Sequence, residues 1–536
     1  MTPLRTVPTQ RFLEHQQLPQ GLSQPLACFQ QPHYLANLLQ AFFNLYPDRR
    51  DYTLVIGANG QSLTHDWLQL MIKVAAGNDF RRIMVGTQGL LSPVMLSHLV
   101  RQHQAIAGIL LGIETKEGEQ IVHLTFYSAT GQVISASLLS ALQERTQILQ
   151  HYCLAEIPDL PLKKAEVLTL GTLHIEVVNS ANLYQRLMAG IFDLDLIQAY
   201  WQNHAAALAV HCFDTVNFAY SQFLLEKTLG LPSGTVTFEN FPVHFDAIAG
   251  QINLPPMKQA QALRAVLTHY RYGIFGSQLA VTASDSLAIL TDNATLIPGY
   301  RGNCGAVGRS QLASAAMDHV CMPLDITCYE TPSPWEWMGA TLDGVGVAFV
   351  GNEGGEVGAS YSRERDGLWA ILFWLNICAL RQSTVESLLR SHWLKYGRNY
   401  HGRFLYGEFP LTELLDWWET FQSQDLRGQT WHGRDIAYSY PLKYYDRSQF
   451  QVIDQWGYTL GLTNGDRLIF CPVMSPHTPG LGNLQVYLEH YEVNPQRHTL
   501  TPAQALDPLK TWLESLTPWQ ELNKALRPTT RRKKTR

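Results

Sequence analysis

The chain has 536 residues, 40 Lys and Arg against 45 Asp and Glu, a formal net charge of −5, and 46% hydrophobic and 11% aromatic residues. That apolar content excludes a disordered chain, and the near-neutral balance gives no global attraction to nucleic acid. At roughly 100–200 residues per domain the length predicts about three to five domains, each long enough to bury its own core.

Along the chain, short apolar runs of strand type alternate with helix-period segments, as expected of α/β layers. A strand over Tyr52–Ile56 ends at Gly57-Ala58-Asn59-Gly60, and Thr64–Ala76 follows with Trp67, Leu68, Leu70, Met71 and Val74 at helical spacing. Arg82–Val85, Ser92–Arg101 and Ile106–Leu111 continue as strand, helix and strand. A second cycle predicts a helix at Leu183–Ile191, a strand at Ala207–His211 and a helix at Phe218–Leu229; a third runs through a helix at Gln311–Val320, a strand at Ile326–Glu330 and an apolar helix at Gly367–Ser383. Between Arg447 and Glu492 the pattern becomes an antiparallel meander, with Asn464-Gly465-Asp466 turning Tyr458–Leu462 into Arg467–Phe470. A last helix is expected at Pro502–Leu516.

The eight cysteines form no Cys-x-x-Cys pair and several sit in apolar runs, so they read as small buried thiols in a reducing compartment. The N-terminus, Met1 to Gln17, lacks an apolar signal core, and the apolar stretch Leu368–Leu380 is too short to span a bilayer. A cytoplasmic protein without a membrane span is the expectation. The nineteen histidines are scattered, and His98 and His103 lack the spacing of a helical metal pair. The dense aromatics, Trp335, Trp337, Trp369 and Trp374 among them, read as core packing, with an exposed Trp335–Trp337 rim for a carbohydrate or protein contact as the alternative.

Six collinear segments resemble an α-phosphoglucomutase of the α-D-phosphohexomutase superfamily: Val85 to Ser92, Gln104 to Ile109, Ala283-Ser284-Asp285-Ser286, Tyr329-Glu330-Thr331-Pro332, Arg363 to Ala370 and His392 to Asn399. The resemblance implies four units around a central cleft, three α/β/α and one C-terminal antiparallel α+β, divided as 1–180, 181–293, 294–402 and 403–526, with a basic tail at 527–536. The family interconverts glucose 1-phosphate and glucose 6-phosphate through a phosphoserine and magnesium, chemistry that needs a phosphoryl carrier, a cation and donors that hold the sugar.

Each of those parts is degenerate at the matching position. The phosphoserine position falls on Glu114, which forms no stable phosphate ester of this cycle. The magnesium loop, three carboxylates in the family, is expected between Gly273 and Ala283, and residues 274–282 contain no acid. The sugar loop becomes Gly351-Asn352-Glu353-Gly354, and a family Lys becomes Glu336. The phosphate loop becomes Cys471 to His477, with no Arg and with prolines that remove amide donors. The family's Thr-Ser-Gly-Leu-Arg becomes Pro19 to Ser23. Asn352, Glu353, Arg309, Arg363 and Arg365 are what remains for substrate contact; no catalytic residue, metal or cofactor is assigned.

The reading that results is a catalytically inactive phosphoglucomutase-like scaffold with a protein partner and weak or no sugar phosphate binding. A working phosphoglucomutase and a non-catalytic sugar sensor are the alternatives. Nucleic acid is expected only through the basic tail, which holds six Lys or Arg and no acid.

Overall fold

The computed structural model describes residues 3–12, 22–116, 118–204, 207–241, 243–254, 263–446, 451–475 and 478–515; the basic tail and Pro19-Gln20-Gly21 lie outside the described residues. The first sheet has seven strands in the order Ser23–Pro25, Glu119–Ser128, Ala107–Lys116, Thr53–Ala58, Arg82–Leu90, Leu173–Val178 and Glu166–Leu170. Its centre is parallel and its flanks antiparallel. The helices His65–Gly77 and Pro93–Gln102 follow their strands as the periodicity predicts. The second of them starts where Ser92 accepts from the Met95 amide and Pro93 occupies the first turn, a start that leaves no amide wasted.

A second sheet orders Val236–Phe238, Leu208–Cys212, Leu263–Leu267, Tyr272–Phe275 and Ala280–Val281; a third orders Thr327–Thr331, Ala306–Ser310, Val347–Gly351 and Val357–Ala359. The helix expected at Phe218–Leu229 is divided into an α-helical turn at Thr215–Ser221 and a π-helical stretch at Gln222–Thr228. The C-terminal sheet is antiparallel throughout, six strands in the order Arg398–Pro410, Leu481–Glu492, Arg467–Met474, Gln451–Leu462, Arg434–Asp446 and Thr430–Trp431. Helices Leu411–Gln422 and Pro502–Glu514 bury Leu414, Trp418, Leu506 and Leu509 on one of its faces.

The first sheet has a core of its own on one face, while its other face joins a core shared with the second and third sheets. Strand alternation sends Leu54 and Ile56 to a core shared with Phe42 and Phe126. Val55, on the opposite face, joins a core continuous with Val210 and Leu263 of the second sheet and Val307 and Phe349 of the third. The helix Gly367–Arg381 is the centre of that core: every residue from Leu368 to Ala379 is buried. Its indoles keep partners, Trp369 Nε1 donating to Tyr300 Oη at 2.9 Å and Trp374 Nε1 to Ser286 Oγ at 2.8 Å, which removes the cost of burying them. Among the described residues no single helix is long and apolar enough to cross a membrane.

A buried ion pair within the C-terminal sheet, Arg467 Nη2 to Glu489 Oε2 at 2.8 Å between register partners, holds that sheet against the segment that follows the third sheet's strand Ala306–Ser310. Glu489 also accepts from Ser314 Oγ at 2.6 Å, the Ala315 amide at 2.8 Å and Asn399 Nδ2 at 2.7 Å, while Arg467 donates to the Ala313 carbonyl. Burial by itself would raise the Glu489 carboxyl, but Arg467 and these donors hold it down at about 2. Glu489→Ala leaves a buried guanidinium uncompensated and should destabilise the protein by about 3–5 kcal/mol, with Arg467→Met plus Glu489→Leu recovering most of that in urea unfolding. Because the folded value lies below the ordinary 4.5, the contribution is present above pH 4.5 and lost as pH falls toward 2; the acid limb of a stability profile should flatten in the double variant.

Candidate functional site

Where the resemblance places the family's nucleophile loop, the chain forms a strand. The strand that carries Gly108-Ile109-Leu110-Leu111 runs on through Glu114 to Lys116 and pairs residue by residue with Glu119–Ser128, Glu114 facing Ile121 and Thr115 facing Gln120. Gly118, at φ +88°, makes the turn, a conformation glycine adopts without strain. Ile113 and Val122 are buried partners, so the alternation that packs one face holds the other face flat. Glu114 lies on the exposed face, its Oε1 2.9 Å from His123 Nε2.

Residues 274–282, where the sequence places the missing metal loop, form the tight hairpin between Tyr272–Phe275 and Ala280–Val281. Its turn is held by Glu386, which accepts from Ser277 Oγ and the Gln278 amide at 2.8 Å. The segment that faces Glu114 is the preceding turn, Thr268 to Arg271, between Leu263–Leu267 and Tyr272–Phe275. There His269 lies in the field of Asp214, Glu114, His123 and Arg365. This turn also contains no carboxylate. The position of the loop is thereby corrected, because the antiparallel register of these strands decides which turn reaches the cleft. Among the described residues no group of three or more His, Cys, Asp and Glu side chains is placed to hold a metal ion.

Of the five residues kept for substrate contact, one lines the cleft cavity. Asn352 folds back on its own turn, accepting from the Gly354 and Glu356 amides and donating to Glu356. Glu353 is buried and takes the hydroxyls of Ser310 and Ser333. Arg309 is buried between Asp318 and Glu330, at 2.6 and 2.9 Å; burial lowers its pKa, the two carboxylates outweigh that, and the net shift is upward. Arg363 is held by Asp343 and by Gln132 of the first sheet, 3.0 Å away. In this structure each of these four spends its charge or dipole on an internal neighbour. Arg365 does line the cavity, its guanidinium 4.7 Å from the Tyr270 ring centre and 5.0 Å from that of Trp335. Trp335 is buried, as core packing predicts and against the exposed-rim alternative, and it donates to the Arg363 carbonyl. Trp337 is half-buried against Tyr444.

The expected phosphate loop is also strand. Arg467–Met474 stays paired with Leu481–Glu492 through Cys471, Pro472 and Met474; Pro476 and His477 lie outside the described residues. Cys471 is buried with Ile248, Leu442, Ile469 and Tyr487, and burial pushes its thiol up to about 12.

The remaining cavity lies where the first three sheets meet, among Asp214, His269, Tyr270, Glu364, Arg365 and Asp366. It has room for about 30 Å³, about one water's share of the liquid. Its two deepest carboxyls are structural: Asp366 accepts from both Tyr184 and Tyr361 and caps the Trp369 amide, and Glu364 is bonded to Tyr127. Burial raises the pKa of both.

The model of the phosphoglucomutase/phosphomannomutase alpha/beta/alpha domain III matches residues 283–396. A phosphoglucomutase of Rhizobium radiobacter is 28% identical over 94% of this chain and 95% of its own. The chain is thus similar over almost its whole length to phosphoglucomutases. Mouse phosphoglucomutase-like protein 5 is 27% identical over 95% of each chain. The fold matches the open-form crystal structure of the Paramecium exocytosis-sensitive phosphoprotein pp63/parafusin with a TM-score of 0.83, at 23% identity over 97% of both chains. A putative phosphomannomutase from Thermus thermophilus aligns at 0.55, at 15% identity over 92% of this chain and 98% of that one.

Sequence reasoning passed over Ser23, His123, Arg467 and Glu489. The sequence carried no signal for the last pair: Glu489 shares its strand face with Asn483, Gln485 and Tyr487, a polar alternation that reads as solvent-facing. Nor did one exist for Ser23 and His123, which only strand register brings together. Neither turn at the second sheet supplies carboxylates for a divalent cation, so in this chain magnesium should leave the melting temperature unchanged against sodium at matched ionic strength; a saturable rise would show a site, because a ligand of the native state stabilises by RT ln(1 + [L]/Kd).

Proposed function

We infer that this chain does not carry out the phosphoglucomutase reaction and serves as a binding or regulatory scaffold, built from the four units set out above and cytoplasmic in location. One observation carries the reading: the phosphoserine position is a carboxylate on a straight paired strand. Phosphoryl transfer is almost wholly positioning and electrostatics around an oxygen nucleophile, and Glu114 offers neither a hydroxyl nor a loop to aim one. The apolar burial of Cys471 at the phosphate-loop position supports the same reading, since a dianion there would be desolvated without a cation. The eight free thiols suit a reducing compartment.

The partner is a protein; a basic segment is disfavoured by the geometry, because Glu353 is spent on two serines and Glu114 faces His123. Purified protein supplied with magnesium and glucose 1,6-bisphosphate should show no conversion of glucose 1-phosphate to glucose 6-phosphate. Calorimetric titration should place glucose 1-phosphate weaker than about 1 mM, roughly 4 kcal/mol. Turnover that persists through purification and disappears in Glu114→Ala or Thr115→Ala would restore the mutase reading.

A further inference from the structure

Three side chains of the first sheet stand in line across its edge. Ser23, on the short strand Ser23–Pro25, is the register partner of His123, and His123 is the register partner of Gly112 on the next strand. Gly112 has no side chain to fill that place, and a Cβ there would meet nothing nearer than 4.0 Å. The imidazole therefore reaches along the strand to Glu114, two residues on and on the same face. Ser23 Oγ is 2.7 Å from His123 Nδ1, and His123 Nε2 is 2.9 Å from Glu114 Oε1. The contact at Nε2 is one of distance and not of hydrogen-bond alignment, but the carboxylate beside it favours the tautomer with the proton on Nε2, in which Nδ1 is the acceptor that faces the serine hydroxyl. Ser23 and His123 are half-buried and Glu114 is exposed, so the row is open to a ligand.

This is the arrangement of nucleophile, base and orienting carboxylate that recurs on unrelated folds, recognised by geometry and not by sequence order. We propose that Ser23, His123 and Glu114 form a nucleophilic triad that hydrolyses carboxylic esters. Ser23 Oγ bonds to the acyl carbon as its proton passes to His123 Nδ1; the ester C–O bond breaks and the leaving alkoxide takes that proton. Water, deprotonated by the same nitrogen, then attacks the acyl-serine, returning the Ser23 hydroxyl and releasing the carboxylic acid. An ester suits the site better than a phosphate monoester, whose dianion would lie beside exposed Glu114. Glu114 is a positioning residue, acting through the ring. The proposal is independent of the inactive-mutase reading.

The test uses a fluorophosphonate probe, which bonds covalently to activated serines, on the full chain, with peptide mapping of the adduct and p-nitrophenyl acetate hydrolysis in parallel. Labelling should map to Ser23, vanish in Ser23→Ala, and slow at least 100-fold in His123→Ala. Glu114→Gln should slow it about tenfold and displace its pH dependence, while Glu114→Asp restores part of the rate. Unfolding midpoints equal to that of the parent establish that each variant is folded. Absence of labelling, an adduct on another residue, or a rate unchanged in His123→Ala overturns the triad; a pH profile unmoved in Glu114→Gln overturns the role of Glu114. Mutase activity assayed on the same preparations separates this outcome from that of the preceding proposal.

Discussion

Four consecutive residues after the third sheet, Arg363 to Asp366, tie the first three sheets into one body. Arg363 reaches Gln132 of the first sheet and Asp343 of the third, Glu364 is bonded to Tyr127, Arg365 lies over Tyr270 of the second, and Asp366 takes Tyr184. Buried carboxyls are tolerated only when every lone pair finds a donor. Asp366 meets that condition while also starting the helix Gly367–Arg381. That helix then fills the core shared by the three sheets. The constraint is thus polar at its origin and apolar in its extent, and a loss at Asp366 would be felt in both.

The same economy explains the fate of the loops that carry chemistry in the family. At Glu114 and again at Cys471, segments expected as open loops are extended and paired with a neighbouring strand. A loop that binds phosphate must keep its amides unspent and convergent, whereas an extended strand paired on one side spends every second amide on its neighbour and turns the rest away. Once paired, the outward side chains acquire partners across the strands instead of ligands in the cleft. The row Ser23, His123 and Glu114 is the chemical consequence: side chains that strand register, not sequence proximity, has brought within hydrogen-bonding distance. At the C-terminal sheet the consequence is apolar, with Leu312 and Ile248 packed where a charged ligand would need cations.

Periodicity and turn chemistry made the α/β layering and the C-terminal meander legible in the sequence, because these are local: alternation at 53–58, helical spacing at 65–77, and the Asn464-Gly465-Asp466 turn each act within a few residues. The resemblance to the phosphohexomutases was legible for the same reason, as short motifs in order. What the sequence did not determine was where each charge is spent. Arg309, Arg363 and Glu353 look like ligand contacts until the fold supplies Asp318, Asp343, Ser310 and Ser333 from distant parts of the chain. Register decided that the turn at 268–271, and not residues 274–282, faces Glu114. A side chain's partner is fixed by which strands lie side by side, and that depends on the whole core closing at once, so only the tertiary structure separates a free charge from a satisfied one.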